Sequence, residues 1–194
     1  MYKLSIFYKK GVKLYRPTEE EVKRRQEEYK RIRSEEIAEK ILKIPHKKRA
    51  DGKYDVYGNV YLDDIRLISL LEVPIRFGKV YGDFSCRCNH LRDLKGAPEY
   101  VRNGFDCGEN QLISLEGAPK YVGGSFYCNN NQLVSLEGAP EYVGRYFSCS
   151  DNQLISLEGA PKYVGKNFNI ADNPKKFTEE EVRKVVDVKG EVYV

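Results

Sequence analysis

Apolar and polar residues along this chain repeat with a period far longer than that of a helix or a strand. A phenylalanine recurs every 21 residues, a small apolar residue follows two positions later, and an asparagine comes three positions after that. Two leucines then lead into Gly-Ala-Pro and Tyr-Val. The Phe-x-Cys segment predicts a short strand with two side chains on one face. One such unit cannot bury its own apolar side, so the pattern predicts a solenoid over residues 60–173.

The repeat is defined by five columns of equivalent positions. They are Phe84, Phe105, Phe126, Phe147 and Phe168; Cys86, Cys107, Cys128 and Cys149, closed by Ile170; Asn89, Asn110, Asn131, Asn152 and Asn173; Leu91, Leu112, Leu133 and Leu154; and Leu94, Leu115, Leu136 and Leu157. A degenerate copy begins at Val60 and carries three extra residues before Phe84. A buried Asn side chain both donates and accepts hydrogen bonds, so this column is expected to satisfy backbone groups of neighbouring coils.

These motifs resemble the leucine-rich repeat, whose strand–Asn–Leu pattern matches residues 126–133 position by position. The string Ser-Leu-Glu-Gly-Ala-Pro, present at 114–119, 135–140 and 156–161, is similar to short repeats of bacteriophage and some bacterial proteins. The resemblance implies a right-handed leucine-rich repeat solenoid, with a parallel β-sheet on its concave side and little helix on its convex side. It implies no reaction, since this fold serves binding in many unrelated proteins.

The segments that flank the repeats predict helical caps. Thr18 and Glu21 form a capping box after Pro17, and an apolar stripe continues toward Pro45, so a helix is expected over about 18–44 in a basic N-terminal cap, 1–59. Strands are expected at 54–62 and at 2–8. A second capping box at 178–181 predicts a short helix and an extended tail in a C-terminal cap, 174–194.

We expect a cytoplasmic protein, which would lie in the cytoplasm of the bacterial host if it is phage-encoded. No apolar run approaches the ~20 residues that span a bilayer, and residues 1–8 lack the features of a signal peptide. Five cysteines, an odd number, argue against a disulfide framework. The cysteine column is interpreted as small buried packing groups rather than metal ligands or a redox array. His46 and His90 are expected at the surface.

The side chains between the core positions of the strands vary from coil to coil, and they are the candidate partner-binding residues. Tyrosine and arginine are the types favoured at protein–protein contacts. The candidates on the expected concave face are Tyr61, Ser85, Arg87, Asp106, Ser125, Tyr127, Asn129, Tyr146, Ser148 and Asn169. The alternative is that these residues form an ordinary solvated surface.

Charge supplies a second candidate function. Residues 1–59 carry 17 Lys and Arg against 10 Asp and Glu, whereas the remainder carries 16 against 19. Phosphate contacts are therefore weighed for Lys23, Arg24, Arg31, Lys47, Lys48 and Arg49. Interleaved glutamates favour a solvated helix with internal ion pairs instead, and no known nucleic-acid motif is present.

The sequence as a whole predicts a non-catalytic scaffold that binds a protein. No nucleophile–base set, phosphate-cradling loop or metal-ligand spacing emerges, so no catalytic residue, cofactor or metal is expected. The resemblance suggests a phage accessory factor that engages a bacterial host protein. Nucleic-acid binding through the basic N-terminal helix and a homo-oligomer, such as a homodimer formed through the Tyr-rich surface, remain alternatives. No membrane partner is expected.

Overall fold

A computed structural model of the chain describes residues 18–194, which fall into two compact units, the first ending at Arg33 and the second beginning at Ser34. Helix α1, Glu19–Leu42, begins in the first unit and ends in the second. The predicted capping box is present at its start, where Glu21 N–H donates to Thr18 Oγ1 at 3.2 Å and Thr18 N–H donates to the Glu21 carboxylate at 2.8 Å. The strand expected at 2–8 lies outside the described residues.

The two ends of α1 differ in burial. In the first unit Val22 and Tyr29, which belong to the predicted apolar stripe, are exposed. In the second unit Ile41 is 4 % exposed and is part of the hydrophobic core, against which Ile37 and Ala38 pack. The predicted apolar stripe therefore packs against the hydrophobic core only toward the C-terminal end of the helix.

The second unit is a β-solenoid of about seven coils built on two sheets, here called sheet A and sheet B. The strands of sheet A are β1 His46–Lys48, β2 Tyr54–Val56, β4 Phe77–Val80, β6 Tyr100–Val101, β8 Tyr121–Val122, β10 Tyr142–Val143, β12 Tyr163–Val164 and β14 Asp187–Val188. Those of sheet B are β3 Val60–Tyr61, β5 Phe84–Ser85, β7 Phe105–Asp106, β9 Phe126–Tyr127, β11 Phe147–Ser148, β13 Phe168–Asn169 and β15 Val192–Tyr193. Within each sheet the strands lie side by side in this order. Every described strand pair is parallel except β1 with β2.

Each coil contributes one short strand to each sheet, and a three-residue corner joins the two strands. In the third coil, Val101 of sheet A and Phe105 of sheet B are both fully buried, and residues 102–104 form the corner between them. The phenylalanines pair in register, and their rings stack with centroids 5.1–5.5 Å apart. The columns read from the sequence are therefore the core of the stack.

The asparagine column forms the predicted hydrogen-bond ladder. Asn131 is 7 % exposed, and its Nδ2 donates to the carbonyls of Cys107, Cys128 and Asn129. Its Oδ1 accepts the N–H of Leu112 at 2.9 Å. One side chain thus satisfies backbone groups of two coils where the chain turns out of sheet B, and the other four asparagines repeat the arrangement.

The return arc from the leucines to sheet A contains little helix, as expected. A 3₁₀ turn, Leu70–Glu72, occurs in the first coil, the next four arcs carry no helix, and the arc that leads into the last coil carries helix α2, Glu179–Val185. Gly138 has φ +92°, and a Cβ there would lie 2.7 Å from the carbonyl carbon of Leu115. Glycine is required in this column because both the left-handed backbone and the close approach of the coils exclude a side chain.

Two features of the stack differ from the sequence prediction. The Tyr-Val pairs form the whole central part of sheet A, a second sheet that the sequence did not predict. Paired strands also continue beyond 60–173, because β2 precedes this range and β14 and β15 follow it. The predicted C-terminal tail is the sheet B strand of a last coil. Helix α2, Glu179–Val185, has the predicted capping box between Thr178 and Glu181.

Candidate binding surfaces

The outward column of sheet B contains six of the ten predicted binding residues in register. Strand pairing aligns Tyr61, Ser85, Asp106, Tyr127, Ser148 and Asn169, and extends the column to Tyr193. Tyr61 and Tyr127 are 63 % and 37 % exposed. Ser85 is buried, and its hydroxyl donates to Asp63 at 2.5 Å, so it is the one member of the predicted set in this column that offers a partner almost no surface.

The predicted residues that flank this column differ in how much of each side chain is free to contact a partner. Tyr146 is 41 % exposed, and its N–H donates to Ser125 Oγ at 3.4 Å. Asn129 is half-buried. The guanidinium of Arg87 pairs with the Glu109 carboxylate and lies 3.9 Å from that of Asp106. The contact between Arg87 and Glu109 lowers the pKa of Glu109 and raises that of Arg87. The charge of Arg87 is therefore already balanced within the protein.

Asp106 is the acidic member of the outward column of sheet B. Burial raises the pKa of its carboxyl group, against the opposing effects of a hydrogen bond from Gly108 N–H at 2.9 Å and of the charge of Arg87. Its half-buried side chain therefore ionises less readily than a free aspartate.

The predicted phosphate-binding residues fall into two sets. Lys23, Arg24 and Arg31 lie on α1 in the first unit, and Lys47, Lys48 and Arg49 lie in or next to β1 in the second. Arg49 forms ion pairs with Asp55 at 2.8 Å and Glu99 at 3.1 Å, and these raise its pKa. Lys48 Nζ lies over the ring of Tyr54, 5.4 Å from its centroid. In the second set, the guanidinium of Arg49 is therefore already paired with carboxylates of the protein.

Sheet A carries an outward tyrosine ladder that the sequence reasoning missed. Tyr100, Tyr121, Tyr142 and Tyr163 stack with centroids 5.0, 4.7 and 4.9 Å apart and interplanar angles of 0–7°. Tyr81 and Tyr57 continue the row toward the N-terminal coils. The signal was the Tyr-Val pair at intervals of 21 residues. Because the faces of these rings stack against one another, mainly the ring edges are left for a ligand.

An exposed aliphatic row runs along the return arcs. Ile113, Val134 and Ile155 occupy equivalent positions in three successive coils and are 51–65 % exposed. Arg92 takes the equivalent position in the preceding coil. The sequence reasoning did not single out this row, although its 21-residue spacing is visible beside the leucine columns.

A polar depression of about 450 Å³ lies at the corner between the two sheets. Arg102 and Arg145 flank it, glycine backbone contributes to its lining, and Ser125 and Tyr127 connect it to sheet B. Ser125 and Tyr127 were predicted binding residues, whereas the two arginines were not.

The cysteine column is buried, as predicted. Cys86, Cys107, Cys128 and Cys149 are fully buried, and burial raises the pKa of each thiol. Thiols with raised pKa values are poor nucleophiles and poor metal ligands at neutral pH. Among residues 18–194 no cluster of three or more His, Cys, Asp or Glu side chains could hold a metal ion. His46 and His90 are exposed, as expected.

Neither helix of the described part of the chain has the length and apolar character needed to cross a bilayer. Comparison of the chain with protein-family models, with curated proteins and with solved structures finds no match.

Proposed function

We propose that this protein is a non-catalytic binding scaffold whose protein partner contacts the outward face of sheet B. The observation that carries the proposal is the contrast between columns. The Phe, Cys, Asn and Leu columns repeat because they form the core, whereas the outward column of sheet B changes residue in nearly every coil. The solenoid itself gives no reason for these changes, so they are available for recognition of a partner.

The exposed residues of this face are suited to a protein contact. Tyr61, Tyr127 and Tyr146 offer large, rigid side chains that are 37–63 % exposed. Tyrosine buries much area at low entropic cost and is enriched among residues that dominate binding energy. Ser148 and Asn169 add half-buried hydrogen-bonding groups in the same column.

The finer identity of the scaffold is part of the proposal. The strand–Asn–Leu motif supports a right-handed leucine-rich repeat with sheet B on its concave side. Buried Ile41 of α1 and Val182 of α2 support helical caps at the two ends. The repeated Ser-Leu-Glu-Gly-Ala-Pro string supports a phage accessory factor that engages a bacterial host protein in the cytoplasm.

Affinity capture from bacterial cytoplasmic extract tests the proposal with matched double variants. Tyr127→Ser with Tyr146→Ser changes sheet B, and Tyr121→Ser with Tyr142→Ser changes sheet A at tyrosines that are equally exposed, 36 % against 37–41 %. We expect mass spectrometry to find a protein that the sheet B variant loses by at least about tenfold and the sheet A variant retains. Retention by the sheet B variant would reject the proposed face.

Two further arms separate the alternatives. Nuclease treatment that abolishes capture would favour nucleic-acid binding, in which case binding should fall steeply with salt. Light scattering of the purified chain would reveal a homo-oligomer. Capture that survives nuclease, by a monomeric chain, is the result that the proposal predicts.

A further inference from the structure

Part of the lining of the depression at the corner between the sheets is glycine backbone. Gly123 and Gly124 occupy corner positions that hold Arg102 and Asn103 one coil earlier. A Cβ on Gly123 would lie 2.1 Å from the carbonyl oxygen of Arg102, so the stacking of the coils excludes any larger residue there. The N–H groups of both glycines already donate to carbonyls of the preceding coil. The N–H groups of these glycines are therefore already used, and the side chains of the lining supply the groups that can bind a ligand.

The lining of the depression includes two arginines that have no internal counter-charge. Arg102 and Arg145 are exposed and form no ion pair or side-chain hydrogen bond with any residue of the described chain. They differ in this from Arg49 and Arg87, which are held by Asp or Glu. Since the arginines stand two coils apart, the strands that lead into them are separated by about 10 Å.

The remaining lining groups strengthen the preference for an anion. Ser125 and Tyr127 belong to the lining of the depression, and a hydroxyl group can donate a hydrogen bond to a ligand. Asp83 is the acidic residue of the lining, and its Oδ1 already accepts the Gly104 N–H at 2.8 Å. Two guanidinium groups against one carboxylate leave a net positive site.

We infer that this depression binds an acidic peptide segment of the protein partner, with one carboxylate at Arg102 and another at Arg145. The inference rests on the proposed function, because Ser125 and Tyr127 belong both to the depression and to the binding face of sheet B. Guanidinium binds carboxylate through two parallel hydrogen bonds. Carboxylates on alternate residues of an extended segment lie about 7 Å apart, within reach of two flexible arginine side chains at corners two coils, or about 10 Å, apart.

Titration of the isotope-labelled full chain with an octaglutamate peptide tests the inference by NMR. We expect saturable shifts of the Gly123 and Gly124 amide signals and an affinity that falls as NaCl is added. Arg102→Gln with Arg145→Gln should weaken binding at least about tenfold. Arg92→Gln removes an exposed arginine outside the depression and should leave the affinity unchanged. Unchanged amide signals elsewhere establish that the variants remain folded.

Three results of the titration would overturn the inference. The glycine amides could stay unshifted up to millimolar peptide, Arg92→Gln could weaken binding as much as the double variant, or inorganic phosphate could shift the same amides at lower concentration than the peptide. The last result would assign the depression to free phosphate. The capture experiment stays independent, since a partner captured through sheet B but indifferent to the double Arg variant would reject only the acidic segment. Peptide binding without any captured partner would reject only the proposed function.

Discussion

The outward faces of the two sheets differ although the same coils build both. On sheet A four tyrosines repeat in register and stack on one another. On sheet B the equivalent column reads Ser85, Asp106, Tyr127, Ser148 and Asn169. An outward residue that contacts its own copy in the next coil has a structural reason to repeat. An outward residue that varies lacks this reason, which makes sheet B the better candidate for recognition.

The largest expected effect concerns the ladder on which both faces depend. Asn131→Ala removes the three hydrogen bonds that Asn131 donates and the one it accepts, all with backbone groups of the stack. Because buried partners then remain unsatisfied, we expect a loss of about 3 kcal/mol in the free energy of unfolding. Urea denaturation measures it. The control is Asn129→Ala, which removes a half-buried amide side chain of the same coil. It should change the free energy of unfolding by under about 0.5 kcal/mol. Equal losses would contradict the ladder's role.

A smaller effect is expected from the tyrosine ladder. Tyr142→Ser removes a ring that stacks on both Tyr121 and Tyr163. Each aromatic pair contributes about 1 kcal/mol, so urea denaturation should show a loss of roughly 2 kcal/mol. A loss close to zero would mean that the tyrosines repeat for a reason other than stability, and sheet A would then compete with sheet B as a binding face.

The corresponding change on sheet B should be nearly neutral for stability. Tyr127→Ser alters a ring of the same exposure as Tyr142, but Tyr127 has no ring neighbour among the described aromatic pairs. We expect the urea midpoint to change by less than the equivalent of about 0.5 kcal/mol. A loss as large as that of Tyr142→Ser would remove the contrast between the faces.

The smallest effect is a dependence on pH at Asp106. Burial raises the pKa of this carboxyl in the folded chain. Between its ordinary and raised pKa the folded chain binds more protons than the unfolded chain, so the contribution of Asp106 to stability falls as pH rises through that window. Asp106→Asn keeps an oxygen for the Gly108 N–H. Its urea midpoint should match that of the wild type in acid and exceed it at neutral pH. A variant that is less stable at neutral pH would contradict the raised pKa.

Much of the stack could be predicted from the sequence because its columns are in long, regular register. The period, the buried Phe and Cys, the asparagine ladder and both capping boxes follow from spacing and residue type. Sheet A could not be recognised as easily, since a two-residue Tyr-Val strand is too short to show strand periodicity. The final coil was missed because Val192 follows Phe168 by 24 residues rather than 21.

The candidate site was predictable only in part, for a different physical reason. Period-two alternation placed Tyr127 and its neighbours on the outward face of sheet B. Burial of Ser85 and pairing of Arg87 with Glu109 depend on neighbouring coils, which the local pattern does not reveal. Arg102 and Arg145 lie at a corner whose shape exists only when both sheets are present.

The most direct test of the sheet B interface is photo-crosslinking. Benzoylphenylalanine replaces either Tyr127 on sheet B or Tyr142 on sheet A, and these two tyrosines are equally exposed. On irradiation in bacterial cytoplasm, we expect a protein adduct from position 127 and none from position 142. An adduct from position 142 alone would contradict the proposed sheet B interface.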